Sequence, residues 1–562
     1  MTKLLANAHY INVFTGEIIK DNILIEDGKI IGVGNYSEAD EVYDYDGKIL
    51  SPGFIDGHIH IESTMMTPYE LSNAIIPHGT TSIIADPHEI ANVCGLEGIQ
   101  YMLDASEGLP LSVYFTLSSC VPATAFDESG ACLNATDIKP LYQSPRVVGL
   151  AEMMNYPMTI AHDPEILTKI ADAKAHNKVC DGHAPLLSGK ALDSYIACGI
   201  GSDHECATID EAIEKITKGQ YIMIREGTAA KNLNDLADLF DSKYSHRCLL
   251  CTDDRHPFDI IDRGHIDNII RRAVGLGKSA VTAIQMASIN AATYFGLSGV
   301  GAIAPGYNAD IVVLDDLDSV TINSVFTAGK LVYDGQLVKE NIGPNPCSNP
   351  PENIVNTFNV DILSPADFYV EPSDCRIRII ETIKYEIITN EIHEYLNFNN
   401  NNGIDTSRNI IKLAVIERHS NTHHIGLGYI KGLGIENGAF ASSISHDSHN
   451  LIIVGSNEED MANAANAIIE MGGGQAVSIN GKTAATIQLN YAGLMADRPC
   501  EVLMKENEAI NDAIARLGSD VSPTLSMTTS FVSLTVIPNL KMSTQGLIDV
   551  QKFERVSLYV EQ

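Results

Sequence analysis

The chain has 562 residues, 37 basic and 72 acidic, and its formal net charge of −35 repels the phosphates of nucleic acid and of anionic membranes. Hydrophobic residues make up 45% of it, yet no apolar run approaches the ~18 residues of a membrane span, and the start MTKLLANAHYINVF lacks a charged-then-apolar leader. We therefore expect a cytoplasmic protein without nucleic-acid or membrane partners, and the 11 scattered cysteines point to a reducing compartment rather than a disulfide framework.

In residues 22–34, NILIEDGKIIGVG, two β-rich runs are joined by Asp27-Gly28, which predicts a hairpin. From about residue 49 the pattern changes to short apolar runs that end in polar residues, each followed by a helical stretch. The runs lie at 54–60, 82–89, 112–119, 147–154, 178–185, 199–205, 221–227 and 248–254, with helices expected over 164–177, 208–219, 229–241 and 278–296. Strands alternating with helices predict a parallel sheet, so residues 51–300 of this α/β chain are expected to close into a TIM-type (β/α)8 barrel. In the last run Cys248 and Cys251 are three apart, which puts them on opposite faces as buried thiols rather than a redox or zinc pair. Residues 301–340 return to strand-and-turn patterning and should join residues 1–50 in a small β-sandwich made from both ends of the barrel segment. The Pro-, Gly- and Asn-rich stretch 341–353 reads as a linker, and 354–562 as a C-terminal mixed α/β domain with helices near 457–471 and 502–517. Gly472-Gly473-Gly474 is the C-cap and turn of the first of these helices, since no Lys-Ser or Lys-Thr follows at phosphate-loop spacing.

The polar residues at the strand ends carry the chemistry. His58 and His60 close the first run, and a period of two puts both imidazoles on one face at the barrel mouth. A His-x-His pair alone is a weak signal. Glu152 at the fourth run, His183 at the fifth, His204 at the sixth and Asp253 at the eighth bring six ligands to one rim, suited to two divalent transition metals with Glu152 between them.

This order, with GHIHIES (57–63), AEMMNYP (151–157), DGHAP (181–185), SDHE (202–205) and TDDRHP (252–257), resembles the amidohydrolase superfamily and, within it, the bacterial adenine deaminases. DPHEIANV (86–93), REGTA (225–229) and GLGIENGAFASSISHDSHN (432–450) extend the resemblance into the last domain. Many superfamily members carry a carboxylated lysine where this chain has Glu152, a permanent carboxylate. The resemblance implies hydrolytic deamination of adenine to hypoxanthine and ammonia. It also implies manganese or iron as the metals, where the donors alone would equally suit zinc, and a homo-oligomer such as a homodimer. Asp253 would take the proton from the attacking water and pass it to the leaving amine, and Glu205, or else Glu89, would protonate the ring.

Arg225 and Glu226, ending the seventh run, are expected to hydrogen-bond the purine; pairing of Arg225 with Glu226 or a neighbouring carboxylate is the alternative. Asp86, His88 and Glu89 are expected to support the ligand imidazoles from behind, an extra metal site being the other reading. His446, Asp447 and His449 read as a hydrogen-bonded turn, another metal site or part of a lid over the barrel mouth. Competing functions are another amidohydrolase reaction, such as deamination of a different purine or pterin or opening of a cyclic amide, and an inactive binding barrel. The last should have lost ligands, and all six positions here carry metal-competent side chains.

Overall fold

The computed structural model describes residues 1–560 except 229, 385 and 520–523. Among the described residues the centre is a ring of parallel strands: Phe54–Ile59, Thr80–Ala85, Ser112–Leu117, Val147–Met153, Val179–Gly182, Ser202–Asp203, Tyr221–Arg225 and Cys248–Cys251. The first five pair in order as one sheet and the last three as another. Backbone bonds join the two into a barrel, from Asp253 N to His58 O at 2.9 Å and from Gly201 N to Cys180 O at 2.8 Å.

Strands buried on both faces must be apolar along their whole length. Alternate residues accordingly enter different clusters. Ile55, Met223 and Leu249 pack with Ile84, Val148, Tyr294 and Phe295, whereas Phe54, Ile222 and Leu250 pack with Ile266, Ile269 and Ile270 of a covering helix. Cys248 and Cys251 fall in these two different clusters, on opposite faces as their spacing requires.

Strand Ile311–Leu314 pairs antiparallel with Ile49–Pro52, so the two ends of the barrel segment meet in one six-stranded sheet. A four-stranded sheet from the first 44 residues packs on it, with Leu5, Ile23 and Ile30 against Leu50, Val313 and Phe326. The hairpin turn there has Asp27 at φ 47° and Gly28 at φ 78°, the two positive values that a two-residue primed turn needs.

Two expected helices differ. The stretch 278–296 is two helices, Ala280–Met286 and Ile289–Tyr294, broken at Ser288, whose φ of −147° and ψ of −93° lie outside the helical region. Of the helix expected over 229–241, residue 229 lies outside the described residues, and the remainder forms only a 3-10 turn, Ala237–Phe240. Leu233, Leu236 and Leu239 are fully buried. Their spacing of three suits a helical pattern, but only Leu239 lies within the 3-10 turn, with Leu236 as its N-cap and Leu233 in the turns before it.

The stretch 341–353, expected as a linker, is mostly exposed and is anchored at the buried Ile342 and Cys347. Cys347 is fully buried and its carbonyl accepts a bond from Tyr491 Oη at 2.9 Å. Beyond it, the last part of the chain builds a nine-stranded sheet covered by helix Glu458–Met471, which ends on Gly472 in the left-handed conformation. A second helix, Cys500–Arg516, lies against the barrel helix Pro257–Arg263. One apolar cluster runs from Ile83, Ile90 and Phe115 of the barrel into Leu413, Phe440 and Val454 of the last sheet, so the two are joined through a shared core.

Candidate metal centre

The strand ends bring His58, His60, Glu152, His183, His204 and Asp253 together, all buried. Glu152 stands in the middle. Its Oε1 lies 3.7 Å from His58 Nε2 and 3.3 Å from His60 Nε2. Its Oε2 lies 2.6 Å from His183 Nδ1 and 3.2 Å from His204 Nε2. Asp253 Oδ1 completes the first half at 3.1 Å from His60 Nε2 and 3.8 Å from His58 Nε2. Asp253 has a φ of 57°, a left-handed conformation that Asp tolerates better than most residues.

These donors fit divalent cations. His60 Nδ1 donates to the Asp86 carbonyl at 3.2 Å, which leaves the lone pair on Nε2 facing the cluster. His58 Nε2 is 3.2 Å from His60 Nε2, so two nitrogens converge on one space. Four imidazoles and two carboxylates, one of them presenting an oxygen to each half, are a donor set for two first-row dications.

Charge within the cluster is balanced. Burial pushes the Glu152 carboxyl up, but His204 and His183 outweigh it and hold the group well below the usual carboxylate range. Burial likewise raises Asp253, and Arg225 and His60 pull it well below that range. Burial lowers His183, but Glu205 and Glu152 push it up to about 9.

Around the cluster, Arg225 lines the cavity above it, with Nη1 paired to Glu205 and Asp253 and Nη2 3.0 Å from Glu205 Oε2. Burial raises the Glu205 carboxyl, and Arg225 with the neighbouring imidazoles more than reverses that, so it is held ionised. Arg225 is thus paired with neighbouring carboxylates rather than with Glu226. The alternation that turns Arg225 inward turns Glu226 away. Arg272 pairs with the Glu226 carboxylate, Leu233 N donates to it at 3.3 Å, and it lines a separate cavity with Lys231, Arg255 and Arg263. Glu226 therefore does not face the barrel mouth, which corrects its expected contact with the purine.

Asp86 Oδ2 holds His88 Nδ1 at 2.9 Å, and that ring nitrogen is 3.7 Å from Glu152 Oε1. His60, Asp86, His88 and Glu152 form one group with metal-ligand spacing, so His88 stands at the edge of the cluster itself. Glu89 accepts from Ser63 Oγ at 2.8 Å and lies 3.7 Å from His446 Nδ1 and 3.9 Å from His449 Nε2. Burial, with Glu62 and Asp254 nearby, pushes Glu89 well above the ordinary carboxylate range.

The last domain supplies the roof of the cavity. His446, Asp447, Phe531, Leu534, Ile537 and Ile387 line it opposite the barrel ligands, and the His446 ring stacks on Phe531 at 4.7 Å with 12° between planes. The apolar members carry no chemical signature in sequence, and only the fold brings them within reach of residues 58–254.

The description "Amidohydrolase family" matches residues 49–332, and "Adenine deaminase C-terminal domain" matches residues 386–554. The adenine deaminase of Desulfatibacillum aliphaticivorans is 44% identical over 558 residues, 99% of this chain and 97% of that protein. The chain belongs to the adenine deaminase family. Family members from Clostridium acetobutylicum and Thermosipho africanus are each 43% identical, covering 98% and 99% of this chain and 96% and 97% of their own. The two matched regions are also the two walls of the cavity: the ligand cluster lies in the amidohydrolase region, and Ile387, His446, Asp447 and Phe531 lie in the adenine deaminase C-terminal domain.

Proposed function

We propose that this chain hydrolyses adenine to hypoxanthine and ammonia in the cavity between barrel and last domain. The observation that carries the reading is Glu152, buried between two pairs of imidazoles beneath a cavity whose roof is the family's own C-terminal domain.

His58, His60, Glu152, His183, His204 and Asp253 would hold two divalent ions, manganese or iron by family likeness and zinc also by donor type. Once bound, such ions lower the pKa of water toward ~7 and so supply a nucleophile at neutral pH. Asp253 accepts a proton from the water that attacks C6 and hands it to the departing amine. Glu205, which lines the cavity and is held ionised, takes up the second proton that the attacking water gives up and passes it to the ring nitrogen, and Arg225 holds the Glu205 and Asp253 carboxylates side by side. Asp86 orients His60 and His88 from behind.

We read residues 1–50 and 301–340 as one β-sandwich, 51–300 as the barrel, 341–353 as a strap between domains and 354–562 as the roof. A homodimer in the cytoplasm is the proposed working form. Metal analysis of the purified protein combined with a purine-panel assay tests the reading. We expect two equivalents of metal, and ammonia with the spectral change of hypoxanthine from adenine. Ring opening without ammonia, or a different purine preferred over adenine, would replace it with another amidohydrolase reaction.

A further inference from the structure

We propose that Asp447, contributed by the last domain, recognises the exocyclic amine of adenine and sets the preference for substrate over product. Asp447 is 3% exposed and lines the cavity. Its Oδ1 lies 3.7 Å from His88 Nε2, whose ring reaches back to within 3.7 Å of Glu152 Oε1. One imidazole thus separates Asp447 from the centre of the ligand cluster, which puts its carboxylate at the end of the cavity where C6 and its amine react. Oδ2 is buried and has no hydrogen-bond partner among the described residues. A carboxylate oxygen taken from water without a donor is costly, and a purine N–H placed against it would remove that cost.

Hydrogen bonds hold the backbone on either side of Asp447. Ser533 Oγ donates to the His446 carbonyl at 3.0 Å, Ser445 Oγ is 2.7 Å from Ser533 Oγ, and the fully buried Arg418 donates through Nε to the His449 carbonyl at 2.5 Å. A fixed acceptor discriminates better than one that can turn away. Adenine presents N–H donors at position 6, whereas hypoxanthine presents a carbonyl oxygen, an acceptor that faces the carboxylate lone pairs unfavourably. The same oxygen that helps hold the substrate therefore disfavours the product, and Phe531 with Leu534 covers the ring face.

This rests on the adenine reading; turnover of adenine by the wild-type enzyme tests that reading alone. For Asp447, the test compares metal-loaded wild type with Asp447→Asn, measuring KM for adenine and the inhibition constant for hypoxanthine. Asparagine can turn an N–H toward the ligand. We expect the ratio of hypoxanthine inhibition constant to adenine KM to fall at least tenfold, with metal content unchanged. A merely structural role would weaken both ligands together, so a ratio within twofold of wild type overturns the proposal. Should Asp447→Asn fail to fold, Asp447→Glu keeps an acceptor and should keep a product-to-substrate ratio well above one. A ratio at or below one in that folded variant overturns the proposal as well.

Discussion

His58 and Asp253 separate two kinds of contribution. His58 supplies only a nitrogen donor, so His58→Ala should lose at least one metal equivalent and nearly all turnover, measured by metal analysis and hypoxanthine formation. Full activity at unchanged metal content would remove it from the ligand set. Asp253 is assigned two jobs, ligation and proton transfer. Asparagine keeps an oxygen of similar shape but takes up no proton near neutrality, so Asp253→Asn should keep much of its metal while kcat falls by about 10² to 10⁴-fold. It also weakens the pairing of Arg225, which retains Glu205 as a partner. A kcat within a few-fold of wild type at full metal occupancy would take Asp253 out of the proton path and leave Asp254, on the cavity wall, as the next candidate.

Among the elements, the roof depends on one buried lysine. Lys541 is fully buried, and its Nζ donates to the carbonyls of Ile387 at 2.8 Å and Phe531 at 3.0 Å, tying together two segments that line the cavity. Burial pushes its ammonium down to about 7. Methionine keeps the length of the stem and removes the donors, leaving the carbonyls of Ile387 and Phe531 short of a partner. Lys541→Met should lower unfolding free energy by roughly 1–3 kcal/mol and raise KM for adenine, by denaturant titration and steady-state kinetics. No change in either would show that the roof does not need this tie. Element by element, the barrel strands were legible because double burial makes them apolar runs ending in polar ligands. The turn around Ala237–Phe240 was not, since leucines three apart satisfy a helical pattern as readily as a 3-10 one. Glu226 was misread for a related reason. Sequence shows that it ends a strand, and only the register, with Arg225 inward, shows which way it faces.

For the whole molecule, protons and cations compete for the same buried donors. His183 without metal is pushed up to about 9, above its ordinary value near 6.5. Its proton therefore stabilises the metal-free fold fully below about 6.5, and that contribution is lost as pH rises through about 9. In the metal-loaded protein the ring is neutral and this dependence disappears, so the gap in Tm between loaded and stripped protein should widen from pH 6.5 to 9. A gap that narrows over that range would contradict the assignment of His183 as a ligand. At this scale the ligand cluster was readable from chain order, because each ligand sits at a strand end and the barrel gathers strand ends on one rim. The roof was readable only as the polar SHDSHN segment, since Phe531, Leu534 and Ile537 look like any other apolar residues until the fold carries them over the barrel mouth.

The central claim is that the buried cluster, filled with divalent metal, deaminates adenine. It is tested most directly by stripping the protein with a chelator and following hypoxanthine formation as metal is added back. The account predicts negligible turnover in the stripped protein and activity that rises with added manganese or iron to a plateau near two equivalents per chain. Full adenine deamination by protein shown to be free of metal, or a reloaded protein that leaves adenine untouched, would contradict it.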